Sequence, residues 1–458
     1  MKLYNTAARK IESFVPQNKA QVKIYSCGPT VYSRAHIGNF TAYVYWDLLV
    51  RVLRLNGWQE KRVMNITDVG HLASDADTGE DKMEKGAKRE GKSVWQIAEK
   101  YTAYFLQHFQ ALKLIMPTEI VRATDMIEAD KALVDVLDQK GYVYETSDGL
   151  YFDTAKFKDY AKFAKLNLAQ LKAGARVEFS AEKRNVSDFA LWKWVREGED
   201  HAMQWQYRGR AGYPGWHIEC ATIVHEKLGE PIDIHTGGVD HIPIHHTNEI
   251  AELTGAYGKT LALVWLHNNF ITVEGAKIAK SKGNGYTFED LAARGFTHLD
   301  YKLWVLQGHF RAERNFSFAD LKAAAKRRLN YRNFAALRYQ KSAEGVKNKE
   351  SLAQVKTEML AQLNNNLNSA GALAILDEAL AKVVPNTEFI QFLDVALGLD
   401  LLNSTPEITP DLNRKIKERE EAKRAKDYGK ADALRGAIEA AGYELNDQAE
   451  GSLWRYKV

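Results

Sequence analysis

Four residues scattered along the chain carry side chains that bind borderline-soft metals: Cys27, Cys220, His245 and Glu249. Cys27 lies at the end of an apolar run in YSCGPTVYSRAHIGNF, and Cys220 lies in GYPGWHIECATI. His245 and Glu249 belong to HTGGVDHIPIHHTNEI, whose first twelve residues hold four histidines. Their i, i+4 spacing sets both on one face of a helix. Two thiolates, an imidazole and a carboxylate make a donor set that suits zinc. The two cysteines, the only ones in the chain, are 193 positions apart. In a reducing compartment they are not expected to form a disulfide, so each is either a buried filler or a metal or catalytic thiol.

A second constellation suits phosphate. His36, Gly38 and Asn39 belong to HIGN, read as a strand-to-helix turn where a donor imidazole and free backbone amides meet the positive end of a helix dipole. Far downstream, EGAKIAKSKGN sets Lys277, Lys280 and Lys282, with Ser281, between Gly275 and Gly283. Lysines on a glycine-hinged loop can neutralise a departing pyrophosphate as its charge develops. Either stretch alone reads equally as an ordinary turn. Together, at opposite ends of one α/β core, they point to adenylyl transfer from ATP.

These residues need a scaffold that brings them together. VKIY, the helically patterned AYVYWDLLVRVLRLNG and RVMNI read as strand, helix and strand, which is a βαβ unit. PIDIHTGG, with Gly237 and Gly238 at its end, and NNFITVEG read as further strands of a parallel sheet that delivers glycine loops to a ligand. The fold class is therefore α/β: a Rossmann-like parallel-sheet core with a connective insertion at about 115 to 205. Beyond about residue 320 the pattern turns helical, giving an all-α C-terminal region with a short tail containing Trp454.

At 458 residues, 45% of them hydrophobic, the chain suits two or three soluble domains. The N-terminus lacks the apolar core of a signal peptide, and no run approaches the ~18 apolar residues of a membrane helix, so a cytoplasmic protein without a membrane partner is expected. The net charge of +4 is unevenly distributed. Lys322 to Lys341 holds seven basic residues and no acidic one, with Tyr331, Phe334 and Tyr339 interleaved; Arg414 to Arg435 holds nine basic and five acidic. Each cluster fits a nucleic-acid backbone footprint or a solvated helix face. GAKREGKS, Gly86 to Ser93, matches the phosphate-loop pattern, but the preceding DADTGEDKMEK cannot form the buried strand such a loop leaves, and a solvated, mobile loop is expected.

Taken together, CGPTVY followed by HIGN, NITDV, GWHIEC, HTGGVDHIPIHHTNE, KIAKSKGN and HFRAERNFS resemble the class I aminoacyl-tRNA synthetases, and among them the cysteinyl-tRNA synthetase family. The resemblance spans essentially the whole chain. It implies that Cys27, Cys220, His245 and Glu249 bind one zinc ion, and that Thr67, Trp216 and Asp240 line the amino-acid pocket. It also implies that His36, Gly38, Asn39, Gly237, Gly238, Lys277, Lys280 and Ser281 hold ATP with Mg²⁺, with His36, Asn39, Lys277 and Lys280 in catalytic roles. Its implied partners are L-cysteine, ATP and tRNA(Cys), and its implied state a monomer. The domains it implies are a catalytic domain at 1 to 270, a signature-loop and stem-contact region at 271 to 320, and an anticodon-binding region at 321 to 458. Three features depart from the family pattern: Ala279 in KIAKS, Thr247 in HHTNE, and the enlarged run NITDVGHLASDADTGEDKM.

Overall fold

The computed structural model describes residues 1–69, 81–166, 182–196, 198, 201–278, 283–340, 351–448 and 451–457. The strand Val22–Ser26 (β1) is buried at Val22, Ile24, Tyr25 and Ser26, as a strand covered on both faces must be. It leads into helix Ile37–Leu55 (α1), and Glu60–Ile66 (β2) then runs parallel to β1. Helix Val94–Ala111 (α2) precedes Glu119–Arg122 (β3), which is parallel to β2. Helix Ile127–Gln139 (α3) leads into the inserted segment. Trp216–Lys227 (α4), Ile232–Gly238 (β4), His245–Tyr257 (α5) and Ala262–Asn268 (β5) complete the layer.

The strand order is β5-β4-β1-β2-β3, all parallel. The chain moves outward from β1 to one edge and then returns to the other side of β1. Its direction reverses between β1 and β4, and a sheet of this kind opens a crevice at that point, beyond the carboxyl ends of its strands. Cys27 follows β1, Thr67 follows β2, and Gly237 and Gly238 end β4, so all four sit at those ends.

Three expectations are corrected here. FITV is not a strand of the parallel sheet. Asn268 and Asn269 hydrogen-bond to the local backbone and end β5, and Ile271–Val273 pairs instead with Arg314–Phe316 and Ala276–Lys277 in a small separate sheet. Because Glu119–Arg122 joins the parallel layer, the five antiparallel strands of the inserted segment run from Val143 to Pro214. GAKREGKS is only partly a loop: Gly86 to Glu90 lie in helix Lys82–Glu90, capped by Asp81, which accepts from the amides of Met83 and Glu84, with Met83 buried, and only Gly91 to Ser93 form a turn.

Helices His298–Leu306 (α6) and Phe318–Ala336 (α7) lead into the helical C-terminal region. The Trp454 tail is folded as well, into the hairpin Tyr443–Gln448 and Gly451–Tyr456. Trp454 is buried, and its backbone exchanges two hydrogen bonds with the Gln340 side chain, which ties the hairpin to the end of α7. Among the described residues, no helix is long and apolar enough to cross a membrane.

Candidate metal and nucleotide site

Cys27 leaves β1, Cys220 rides on α4, and His245 and Glu249 occupy successive turns at the start of α5. The fold brings one sulfur, nitrogen or oxygen atom of each to within 4.8 Å of all the others. Tetrahedral zinc holds its ligand atoms about 3.3–3.8 Å apart, so the cluster needs only a small contraction to grip the ion. Gly237 makes room for the neighbouring histidines: a Cβ there would lie 2.6 Å from the His246 ring and 2.7 Å from that of His241.

The electrostatics describe crowded, mutually coupled donors. The Cys27 hydrogen bond and burial push the Cys220 thiol well up, and burial pushes Cys27 up too. Burial opposes a charge on His245, but Glu249 and Cys220 override it and raise its pKa well above the usual value. Burial likewise opposes ionisation of Glu249, yet the imidazoles of His235 and His245 hold its carboxyl well below the ordinary range. His235 Nε2 lies 2.7 Å from Glu249 Oε2, and His245 Nε2 lies 2.9 Å from Oε1. A bound zinc ion would replace the proton shared between that oxygen and that nitrogen. The residues fit zinc.

The second constellation sits at the N-terminus of α1. His36 is the cap residue, and Asn39 Oδ1 accepts its backbone N–H at 3.0 Å. The expected open cradle of amides is partly filled: Ile37 N–H donates to the Tyr286 carbonyl at 2.8 Å, and Asn39 N–H to that of His36 at 3.0 Å. Gly38 abuts the start of the lysine loop, since a Cβ there would lie 2.7 Å from Ile278 Cδ1. The two motifs, about 240 residues apart in sequence, therefore touch. Lys277 is exposed, its ammonium 5.5 Å from the Phe270 ring centroid. Lys280 and Ser281, like Ala279 and Lys282, lie outside the described residues.

The remaining pocket candidates cluster at the same crevice. Trp216 stacks on His245 with centroids 4.7 Å apart. Thr67 is buried and accepts from Asn65 Nδ2 at 2.9 Å. Asp240 is exposed in the turn Val239–His241, its carboxylate against Gly238.

Comparison with known proteins agrees with this geometry. A family model described as "tRNA synthetases class I (C) catalytic domain" matches residues 13–326. Cysteine–tRNA ligase 1 of Burkholderia lata is 41% identical over 98% of this chain and 95% of its own length. The cysteine–tRNA ligase of Treponema denticola is 38% identical over 99% of each. The chain belongs to the cysteinyl-tRNA synthetase family. Among solved structures, a methionyl-tRNA synthetase of Mycobacterium tuberculosis bound by methionyl-adenylate shares the fold, with TM-score 0.58 and 15% identity over 84% of each chain.

For a cysteinyl-tRNA synthetase family member, several site residues went unread in the sequence. His235, His246, His267 and His217 pack around the four ligand candidates. His246 Nε2 lies 3.3 Å from Cys27 Sγ, its Nδ1 2.7 Å from His267 Nε2, and His217 Nδ1 3.0 Å from His245 Nδ1. Thr6 Oγ1 closes the chain at 2.8 Å from His267 Nδ1. Cys27, His235, His246 and Glu249 even form a second compact donor set overlapping the first. The crowding of histidines in HTGGVDHIPIHHTNEI was a signal for His235 and His246; nothing local pointed to Thr6 or His267.

The basic clusters are largely committed within the chain. Arg327 pairs with Asp377 at 2.6 Å and Arg328 with Asp300 at 2.7 Å, while Arg332 and Arg338 donate to backbone carbonyls. Tyr331 and Phe334, read as interleaved aromatics, are core. In the second cluster Arg419 and Lys423 pair with Asp447, whereas Arg424, Lys426, Tyr428 and Lys430 are exposed.

Proposed function

We propose that this chain joins cysteine to tRNA(Cys) in two steps at the crevice between β1 and β4. The cysteine carboxylate attacks the α-phosphorus of ATP. A new O–P bond forms, the α–β phosphoanhydride breaks, and pyrophosphate leaves with Mg²⁺, giving cysteinyl-adenylate. A ribose hydroxyl at the tRNA 3' end then attacks the acyl carbon, and AMP leaves.

Cys27, Cys220, His245 and Glu249 would hold one zinc ion. When bound there, zinc supplies a Lewis acid that prefers a thiolate to a hydroxyl, whereas an apolar pocket alone rejects a near-isostere such as serine only ~100-fold. Thr67, Trp216 and Asp240 line the pocket, and Asp240 positions the amino acid. His36, Asn39, Lys277 and Lys280 stabilise charge on the phosphates as it develops, with Gly38, Gly237, Gly238 and Ser281 completing the ATP site. No residue is needed as a strong general base, because the attacking carboxylate is already ionised.

The domains divide at 1 to 270, 271 to 320 and 321 to 458, with the helical region holding the anticodon side of the tRNA. The exposed Arg424, Lys426, Tyr428 and Lys430 support that placement. The protein acts as a monomer in the cytoplasm.

The observation that carries this reading is the buried four-donor cluster whose residues follow β1 and β4 and ride on α4. Its test is transfer of labelled cysteine to tRNA by zinc-loaded protein with ATP and Mg²⁺. Base-labile, acid-precipitable label is expected; cysteine-dependent pyrophosphate exchange without such label would limit the chain to activation.

A further inference from the structure

The inserted antiparallel segment reaches the metal cluster through aromatic side chains. Tyr160 leaves that segment and is buried, and its hydroxyl donates to Asn248 Oδ1 at 2.6 Å. Asn248 is itself buried on α5, between His245 and Glu249 in sequence and adjacent to Glu249. Tyr160 is the end of a stack: its ring lies 6.4 Å from Phe189, Phe189 lies 5.1 Å from Phe152, and Phe152 lies 5.2 Å from Tyr142. Phe189 also meets His217 edge-on at 5.7 Å, and His217 contacts His245. Phe163, three residues beyond Tyr160, packs 4.9 Å from Trp265 and 6.1 Å from His267.

Through its described residues the inserted segment thus meets the imidazole layer by Tyr160, Phe189 and Phe163, and Tyr160 does so by a hydrogen bond to the helix that carries two ligand candidates. A helix turn fixed at one residue is fixed in rotation for its neighbours, because successive side chains are set about 100° apart around one axis. Losing the bond would let α5 shift by the few tenths of an ångström that metal geometry registers. Groups hydrogen-bonded directly to ligands commonly change metal affinity about 10–100-fold, and Tyr160, which bonds a residue next to a ligand candidate, belongs at the lower end of that range.

We propose that Tyr160 is a positioning residue of the metal site: through Asn248 it fixes the turn bearing His245 and Glu249, which makes the inserted segment part of the cysteine-recognition apparatus. The inference rests on the zinc reading above. It gives the insertion a role in the first reaction step that does not depend on contact with tRNA.

The test uses full-length zinc-loaded protein, wild type, Tyr160→Phe, Asn248→Ala and the double variant, with release of zinc to a chromophoric chelator as the first readout. Tyr160→Phe is expected to release zinc about tenfold faster, the lower end of the range for groups bonded directly to ligands. The Co²⁺-substituted form should show shifted ligand-field bands, and KM for cysteine should rise while KM for ATP stays fixed. Asn248→Ala should reproduce these changes, and the double variant should add little, since both remove one bond. Unchanged release rates and Co²⁺ spectra in both single variants, with only a lowered Tm, would overturn the proposal and leave the zinc reading standing. A wild type that takes up no zinc would overturn both.

Discussion

Two buried polar clusters are solved in opposite ways. At the middle of α1, Asp47 Oδ2 accepts from Arg51 Nε at 2.7 Å and Lys302 Nζ at 2.9 Å, and Oδ1 accepts from the Ile115 amide at 2.7 Å. Arg51 and Lys302 direct further protons at the carbonyls of Asp394, Val395, Leu112 and Lys113. Burial would push Asp47 up, but the two cations hold its carboxyl at about 2. Burial brings Lys302 down to about 8. Beyond the end of β1, two thiols, several imidazoles and a carboxylate crowd together, with Glu249 Oε1 2.9 Å from His245 Nε2 and Oε2 2.7 Å from His235 Nε2. The first cluster is built from groups that only pair charges; the second is built from groups that also ligate a metal. Burial of charge does not by itself distinguish structure from function. A compact set of metal-ligating donors does.

The contrast is broken most severely by Cys27→Ser. That change should remove most bound zinc, read by metal analysis, and lower cysteine-dependent pyrophosphate exchange by orders of magnitude, with little change in Tm measured without metal. Full zinc content with normal exchange would erase the distinction between the clusters. Asp47→Asn should do the reverse. It strands two buried cations and is expected to cost about 3–5 kcal/mol of stability by denaturant unfolding, while zinc stoichiometry in the folded protein stays the same.

A half-buried histidine gives a smaller, pH-dependent effect. Burial, with the neighbouring His108, lowers His298 from its ordinary 6.5 to about 4. Its Nε2 lies 2.8 Å from His108 Nδ1, and Glu289 faces the pair. Between pH 6.5 and about 4 the unfolded chain binds the proton and the fold does not. Stability should therefore fall as pH falls through that window, and His298→Gln should flatten the slope of Tm against pH there. An equal slope in the variant would assign the loss to other groups.

The smallest effect concerns the basic surfaces. Arg424→Gln with Lys430→Gln should weaken tRNA binding and reduce its salt slope by up to about two counterions. Arg328→Gln, whose side chain is committed to Asp300, should lower Tm instead. Equal effects on binding would contradict the separation of free from committed cations.

Much of this was legible because the chemistry is local in type even where it is distant in sequence. HIGN marked the start of α1, and the i, i+4 pair His245 and Glu249 placed two ligand candidates on α5. The two thiols needed the fold, since only the β4-β1 adjacency brings Cys27 toward α4 and α5. Sequence could not show that Ile37 N–H is taken by Tyr286, because that bond joins segments that meet only in three dimensions. Arg327 and Arg328 looked like a phosphate footprint for the same reason: their partners Asp377 and Asp300 lie outside the basic run. The hairpin around Trp454 was missed because its pairing is confirmed by Gln340, more than a hundred residues away.

The most direct test of the metal centre is the number of sulfur atoms around zinc in the loaded protein, measured by X-ray absorption at the zinc edge. Cys27, Cys220, His245 and Glu249 predict two sulfur neighbours with one imidazole and one carboxylate. The overlapping set of Cys27, His235, His246 and Glu249 would give one sulfur and two imidazoles. Two sulfurs, falling to one in Cys220→Ala, would establish the site as described; one sulfur in the wild type would contradict it.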